Sequence, residues 1–202
     1  MEYIPHLSKD RKLKTLIEGR EPFKLTKRKP IHLHLCMSIM SQQLSTKVAH
    51  VIHKRFLALF GTKTPTPERI LAMAPEKLRA IGLSNAKTSY VRNVALFAME
   101  NGIEYKHLNE LSNEEVITYL TGIKGIGRWT VEMQLMFTLG REDVFAVDDL
   151  GIQKAMIKLY RLKAGSKKEL REKMLELSQK WSPYRTYACL HLWHWKDNKP
   201  VS

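Results

Sequence analysis

The chain has 202 residues, of which 44% are hydrophobic and 27% are charged, which is typical of a globular protein that buries its own core and argues against extensive disorder. Lysine and arginine outnumber aspartate and glutamate by 34 to 20, and the formal net charge of +14 favours a polyanionic partner, above all nucleic acid. The only two cysteines, Cys36 and Cys189, are too few for a disulfide framework or a four-cysteine metal cluster, and we expect both to be reduced.

Helix signals recur along the whole chain, whereas strand signals are nearly absent. Apolar side chains keep helical spacing after Pro30 and again after Ser45. Further helix starts are indicated by capping residues or prolines at Thr66, Pro75, Ser84, Ser112, Ser166 and Ser182. The one stretch without helical periodicity is GREDVFAV, residues 140–147. The pattern predicts an all-α fold of about ten helices with short connections.

The segment LTGIKGIGRWTV joins two helical stretches through a turn with three glycines, Gly122, Gly125 and Gly127. Glycine breaks a helix and permits positive φ angles. Gly125 and Gly127 would bring bare N–H groups to the start of the second helix, where unpaired donors and the helix dipole favour a phosphate. Lys124 and Arg128 add positive charge. The segment resembles a helix-hairpin-helix that grips DNA phosphates; the alternative is a tight turn whose glycines serve packing only.

Two adjacent acids, Asp148 and Asp149, follow the apolar run that ends at Val147. Adjacent carboxylates repel each other, so one interpretation is a solvated turn. The other is a helix N-terminus, with Asp148 as the cap and Asp149 in the first turn facing a cleft. The residues alone leave both interpretations open.

A glycine hairpin followed about twenty residues later by an aspartate resembles the helix-hairpin-helix DNA glycosylase superfamily. Three more segments resemble its alkylbase branch, the AlkA-like 3-methyladenine DNA glycosylases II: SIMSQQLSTK from Ser38, GLS from Gly82 with Lys87 after it, and WSPYRT from Trp181 with a later Leu-Trp pair. We expect a short form without the N-terminal β domain of some members. The resemblance implies two helical lobes with an active-site cleft between them, one of residues 31–141 ending in the hairpin and one of residues 1–30 and 142–202.

The resemblance also implies residue roles. Asp149, with Ile152 three positions on, matches the catalytic carboxylate, which stabilises an oxocarbenium-like sugar as the glycosidic bond breaks. Asp148 would then be a helix cap or an orienting neighbour. Trp129 stands where strand-cleaving relatives carry a Schiff-base lysine, which implies a monofunctional enzyme. Trp129 and Trp193 match aromatic positions of the base pocket, where indole faces favour a cationic alkylpurine; the alternative for each is a place in the core.

Two further residues match positions that enter the DNA. Gln43 corresponds to the residue that fills the gap left by the flipped nucleotide, and Ser84 to the residue inserted into the opposite strand. Ser84 could instead be only a helix cap, and Ser45 offers the same alternative for the Gln43 segment. Met133 and Leu150 occupy positions where AlkA-type enzymes can carry tyrosines, so we expect a more aliphatic base pocket.

No side-chain metal site is predicted. The histidines and cysteines within residues 32–36 and 189–194 lack the further ligand that would complete a site. The family hairpin can hold an alkali ion on backbone carbonyls, which here would belong to Thr121, Ile123 and Ile126. We expect no cofactor beyond such a Na⁺ or K⁺ ion.

The function implied is excision of alkylated purines, 3-methyladenine and 7-methylguanine, from double-stranded DNA by base flipping, in base excision repair. The alternatives are a glycosylase for hypoxanthine, ethenoadenine or uracil, and a non-catalytic module that only binds DNA. A helix-turn-helix regulator is disfavoured because the helix of residues 129–139 is too apolar to read bases. No apolar run approaches the roughly 20 residues of a membrane span, and the start shows no secretory signal. We therefore expect no membrane association, a cytoplasmic location at the nucleoid (or nuclear in a eukaryote), and a monomer without an obligate protein partner.

Overall fold

The structure is a computed structural model that describes residues 1–197, and over this range it contains helices and no β-strand. The helices in chain order are α1 (Tyr3–Leu7), α2 (Arg11–Ile17), α3 (Ile31–Ser41), α4 (Thr46–Ala58), α5 (Pro67–Ala72), α6 (Pro75–Ala80), α7 (Asn85–Asn101), α8 (Tyr105–Glu110), α9 (Asn113–Thr121), α10 (Arg128–Phe137), α11 (Leu150–Tyr160), α12 (Lys167–Ser178) and α13 (Arg185–Asp197). A short 3-10 helix, Gln179–Trp181, follows α12. None of the helices in the described part is long and apolar enough to cross a membrane. The all-α prediction is confirmed.

The described residues form thirteen α-helices rather than about ten. The additional ones are short, such as α1 with five residues and α8 with six, and such lengths are too short for helical periodicity to be recognised. The last helix begins at Arg185 and not at Ser182, because a turn with a 2.7 Å bond from the Tyr184 N–H to the Trp181 carbonyl precedes it.

The predicted helix caps are present. In each case a hydroxyl accepts a hydrogen bond from the backbone N–H three residues on, at Thr66, Ser84, Ser112 and Ser166. Ser112 and Glu115 form a reciprocal capping box. At Ser166 the reciprocal bond is made differently, because Glu169 accepts from the N–H of Gly165, 2.7 Å away, instead of from Ser166 itself. These local bonds set where the helices begin.

Contacts between Cα atoms divide the chain into two units. We call Lys27–Gln134 the hairpin unit, and Met1–Thr26 with the chain from Leu135 onward the aspartate unit. The lobe boundaries inferred from the resemblance stay a prediction, and residues 198–202 of the second lobe lie outside the described residues.

The core of the hairpin unit is built around α7, which packs against α3 and α5. The largest fully buried side chains of this unit are Phe56, Leu35, Ile39, Met40, Ile70, Leu78, Leu108 and Leu120. Each such side chain contributes about 1.5–3 kcal/mol when it is transferred from water to the core. This core holds the ends of α3, α7 and α9 in place, and those ends carry the residues discussed below.

The core of the aspartate unit is formed by α11, α13 and α2. The segment without helical periodicity is indeed non-helical, and its apolar part, residues 144–147, is buried. Side chains from the start of α13 hold it: the Arg185 guanidinium pairs with Asp143, with Nε–Oδ1 at 2.6 Å, and the Thr186 hydroxyl accepts from the Val144 N–H at 3.0 Å. These bonds therefore fix the segment that leads to Asp149 at the start of α11.

One buried carboxylate, Asp10, connects three parts of the aspartate unit. It caps α2 through its Oδ1 atom, while its Oδ2 atom accepts from the Tyr160 hydroxyl at 2.6 Å and the Trp181 indole at 3.0 Å. Lys180 lies 2.9 Å from the same oxygen. Burial alone would raise the pKa of Asp10, but these donors outweigh it and lower the pKa to about 2. Asp10 therefore remains an anion and an acceptor throughout the neutral range.

A buried histidine predicts how the stability of this unit depends on pH. His191 is 1% exposed and packs against Tyr3 and Phe23. Burial lowers its pKa from 6.5 to about 4, so the unfolded chain binds a proton more readily than the folded one between these values. We expect the unfolding free energy to fall by about 2 kcal/mol between pH 7.5 and pH 5 on this account, measured by urea denaturation.

The control for this prediction is a pair of histidine variants. His191→Leu removes the buried imidazole and should abolish most of the acid-side loss, whereas His50→Gln, at an exposed position, should leave it unchanged. An equal pH slope in wild type and His191→Leu would show that another group titrates.

Candidate active site

The glycine turn lies between α9 and α10, as predicted, with α10 beginning at Arg128. Ile123 and Ile126 are buried and fix the turn to the core of the hairpin unit. The Asn93 side chain donates to the Lys124 carbonyl at 3.2 Å and supports the turn from α7. Lys124 itself is exposed. The turn is thus rigid on its inner side and presents its outer side to solvent.

The three glycines of the turn have different structural roles. Gly125 has φ +105°, and a Cβ there would lie 2.3 Å from the Tyr90 ring, so only glycine fits. A Cβ on Gly127 would meet no atom of the protein within 4 Å, so the folded chain does not itself require glycine there. Gly122 has φ −61° and caps α9 in helical conformation, so it ends the helix without a positive φ.

The start of α10 is suited to an anion. The first N–H groups of a helix have no partner within it, and the positive end of the helix dipole lies there. The first helical bond in α10 runs from the Val131 N–H to the Gly127 carbonyl. Gly127 is exposed, so the start of α10 reaches the surface of the hairpin unit. The roles of Gly122, Lys124, Gly125 and Gly127 toward a DNA backbone stay a prediction.

Arg128 is already paired within the hairpin unit. Its guanidinium forms a two-bond ion pair with Glu114 of α9, with Nη1–Oε2 at 2.9 Å, and its Nε donates to Glu132 at 3.0 Å. These partners raise the pKa of Arg128 above its usual value even though burial opposes it. Two carboxylates offset its charge, so we expect Arg128 to clamp α9 to α10 and not to provide the main attraction for phosphates.

Asp149 is the N-cap of α11, so the alternative with Asp148 as the cap and Asp149 in the first turn is wrong. The Asp149 Oδ1 atom accepts from the Ile152 N–H at 2.9 Å and from the Trp193 indole N–H at 2.8 Å. Asp148 instead forms an exposed ion pair with Arg171, 3.2 Å away. The two adjacent carboxylates therefore have separate partners, and Asp149 is held in one orientation from its own helix and from α13.

Gly151 makes the contact between Asp149 and Trp193 possible. A Cβ at this position would lie 2.9 Å from the Asp149 Oδ1 atom and 3.1 Å from Trp193 Cδ1. A larger residue would therefore push the indole or the carboxylate aside. The sequence reasoning missed Gly151, and the one signal for it was a glycine placed inside the first turn of a helix, where it weakens helix formation without an evident local reason.

The predicted base-pocket residues fall into both units. Trp193 and Leu150 belong to the aspartate unit, and Leu150, beside Asp149, is 69% exposed. Trp129 and Met133 lie one turn apart on α10 in the hairpin unit. Trp129 is 46% exposed, which argues against the alternative of a core tryptophan. Trp193 is half-buried. Its ring packs beside Phe137, and part of it remains exposed to solvent.

The two residues predicted to enter DNA lie on exposed turns of the hairpin unit. Gln43 follows α3 and has φ +60°, a left-handed conformation that is rare outside glycine. Ser84 caps α7 by accepting from the Lys87 N–H at 3.2 Å, so its predicted alternative role as a cap is real. Their roles toward DNA stay predictions, as does the alkali-ion site on the carbonyls of Thr121, Ile123 and Ile126. Among residues 1–197 no group of three or more His, Cys, Asp or Glu side chains could hold a metal ion.

The hydrogen bond between Trp193 and Asp149 leads to a prediction. A bond from a neutral donor to a carboxylate contributes about 1.5–3 kcal/mol. For the base release that the resemblance implies, we expect Trp193→Phe to reduce turnover by about tenfold or more with a smaller effect on KM, because an aromatic ring remains while the donor is lost. Single-turnover assays on alkylated DNA measure this.

The matched control is Trp195→Phe, two residues on in α13, where the indole stacks with Lys158 instead. We expect this variant to retain turnover within about twofold. Equal effects of the two substitutions would mean that the indole donor does not orient the carboxylate of Asp149 for the expected reaction.

Comparisons with known proteins identify the family to which the chain belongs. The family model described as "HhH-GPD superfamily base excision DNA repair protein" matches residues 36–180. The chain is 38% identical over 185 residues to DNA-3-methyladenine glycosylase 1 of Schizosaccharomyces pombe, covering 91% of this chain and 80% of that protein. The solved structure of an S. pombe 3-methyladenine DNA glycosylase in complex with abasic DNA matches with a TM-score of 0.84 and 34% identity over 100% of both chains. A DNA-3-methyladenine glycosidase structure from Bacillus halodurans matches with a TM-score of 0.83 and 34% identity, over 95% of this chain and 87% of that one.

Proposed function

The chain belongs to the HhH-GPD superfamily of base excision DNA repair proteins, and we propose that it is a monofunctional DNA-3-methyladenine glycosylase. It removes alkylated purines, 3-methyladenine and 7-methylguanine, from double-stranded DNA and leaves an abasic site. The relatives named above are called 3-methyladenine glycosylases or glycosidases, and one of them was solved with abasic DNA. The net charge of +14 supports DNA as the partner.

The observation that carries this proposal is the fixed carboxylate of Asp149. Its two donors, the Ile152 N–H and the Trp193 indole, both reach Oδ1, so the group is oriented and is not a solvated turn. A carboxylate held in this way can stabilise the positive charge that develops on the sugar as the bond to the base breaks. Because the carboxylate is already oriented, little reorganisation is needed during the reaction.

The proposed substrate class follows from the leaving group and the available rings. A purine alkylated at N3 or N7 is cationic and leaves without a strong general acid. Each of two indoles, that of Trp129 in the hairpin unit and that of Trp193 in the aspartate unit, has a face that can attract a cationic ring by about 1–2 kcal/mol when water is excluded. A neutral base such as hypoxanthine would need polar contacts, whereas the other residues proposed for the base pocket, Met133 and Leu150, are apolar.

The absence of strand cleavage follows from the residue at position 129. An imine with the sugar requires an amine, and the indole of Trp129 cannot form one. We propose that hydrolysis completes the reaction. We also propose that no cofactor takes part, because the positive charge of the alkylated base already makes it a good leaving group. We further propose that the protein is a monomer. It would act where the DNA is, in the nucleoid or the nucleus.

The experiment is release of labelled bases from DNA treated with a radiolabelled methylating agent. Chromatography should detect free 3-methyladenine and 7-methylguanine, whereas hypoxanthine should be released from duplexes far more slowly. Strand breaks should appear only after alkali, and borohydride should trap no covalent complex. DNA binding without release of any base would refute the glycosylase proposal in favour of a binding module, and preferred release of hypoxanthine would refute the alkylpurine assignment.

A further inference from the structure

A lysine of α7 caps the end of α3 in the hairpin unit. The Lys87 ammonium donates to the carbonyls of Met40 at 3.0 Å and of Gln42 at 2.7 Å. These are carbonyls at the C-terminus of α3, where acceptors lack helical partners and the helix dipole is negative. Partial burial lowers the pKa of Lys87, as expected for an ammonium withdrawn from water onto protein carbonyls. The lysine is therefore committed to this contact.

The carbonyls that Lys87 holds lead directly into the turn that carries Gln43. Gln43 is exposed and has the left-handed φ of +60°, and the turn is closed by a bond from the Leu44 N–H to the Ser41 carbonyl at 3.1 Å. A left-handed residue that is not glycine persists only when its surroundings hold it. Lys87, bound to the carbonyl of the preceding residue, is such a restraint.

The same lysine lies in the first turn of the helix that Ser84 caps. The Ser84 hydroxyl accepts from the Lys87 backbone N–H at 3.2 Å, so one residue contacts the Ser84 cap through its backbone and the Gln43 turn through its side chain. Gln43 and Ser84 are the two residues that the family resemblance predicts to enter the DNA at the flipped nucleotide. They come from separate parts of the chain, and Lys87 joins the two parts.

We infer that Lys87 is a positioning residue that locks the Gln43 turn to the Ser84 end of α7, so that both residues enter the duplex as one rigid element. This inference rests on the proposed function, because it assumes that the protein opens a duplex at a damaged nucleotide. Lys87 does not touch the reacting atoms. Its effect is on the pre-formed shape of the DNA-inserting surface, which lowers the ordering that binding would otherwise require.

The test uses a duplex that carries a stable abasic-site analogue with 2-aminopurine opposite to it. Fluorescence of the 2-aminopurine reports insertion at the gap, and fluorescence anisotropy reports affinity, so neither readout needs catalysis. The variants are Lys87→Met, Gln43→Ala and the double variant. We expect each single change to weaken binding by about tenfold, and the double variant to be no weaker than either single one, because both disable the same element.

The matched control is Lys106→Met on the exposed face of α8, which removes the same charge without touching the turn. We expect Lys106→Met to weaken binding by less than about threefold, at low and moderate salt alike. Lys87→Arg keeps the charge and the ability to donate to two carbonyls, and it should restore most of the 2-aminopurine response. If Lys87→Met does not fold, as judged by circular dichroism, Lys87→Gln replaces it with the same expected coupling.

The outcomes separate this inference from the proposed function. Additive losses for Lys87 and Gln43, or equal behaviour of Lys87→Met and Lys106→Met, would overturn the inference even if the wild type releases methylated bases normally. Failure of the wild type to release any base would overturn the proposed function, while coupled losses in abasic-DNA binding would still support the positioning role.

Discussion

Asp149→Asn is expected to lower release of 3-methyladenine by at least about a hundredfold, with nearly unchanged DNA binding and stability. The amide oxygen can still accept from the Ile152 N–H and the Trp193 indole, and asparagine caps helices as well as aspartate does. What disappears is the negative charge that we propose stabilises the cationic sugar, and loss of one such electrostatic partner costs about a hundredfold or more in rate. Single-turnover release from methylated DNA measures the effect, with urea denaturation as the check on folding.

Asp148→Asn is the control for this experiment. Asp148 has the same charge and the adjacent position, but its partner is Arg171 at an exposed ion pair. Exposed pairs contribute at most about 1 kcal/mol, and we expect release within about threefold of the wild type. If Asp149→Asn retained activity within tenfold, or if Asp148→Asn lost as much, the carboxylate that carries the reaction would have to be another one.

Gly125→Ala is expected to lower the stability of the fold, whereas Gly127→Ala is expected to weaken DNA binding. At Gly125 the added methyl would lie 2.3 Å from the Tyr90 ring and force a residue with φ +105°, so we expect the unfolding free energy to fall by about 2–4 kcal/mol. At Gly127 the methyl meets no protein atom within 4 Å, so the fold should be as stable as the wild type. There the methyl lies where a phosphate would approach the start of α10, and we expect DNA affinity to fall by about tenfold.

The two glycine variants control each other. Both add one methyl to the same turn, and urea denaturation with fluorescence anisotropy on duplex DNA separates stability from binding. A Gly127→Ala protein that binds DNA as tightly as the wild type would remove the start of α10 from the proposed phosphate site. A stable Gly125→Ala protein would mean that Tyr90 moves aside at little cost.

The helical class, the starts of α5, α7 and α9, and the glycine turn could all be predicted from the residues. Each of these features depends on interactions within a few residues, such as the Ser84 hydroxyl with an N–H three positions on, and such patterns are visible in a linear sequence. The short helices α1 and α8 were missed because five or six residues do not show a period. The candidate site residues were predicted from the resemblance to the glycosylase family. The motifs that carry this resemblance lie in separate segments of the chain.

Which of two adjacent acids caps α11 could not be read locally, because Asp148 and Asp149 carry the same capping signal. The choice depends on Trp193, 44 residues away in sequence, whose indole reaches Asp149 across the space that Gly151 leaves open. Lys87 likewise meets the Gln42 carbonyl across 45 residues. Interactions between residues close in sequence can be predicted from their order. Contacts between distant segments form only when packing has brought the helices together. That is why the amino-acid sequence reveals the helices and the kind of site, and only the folded chain shows which atoms hold the carboxylate.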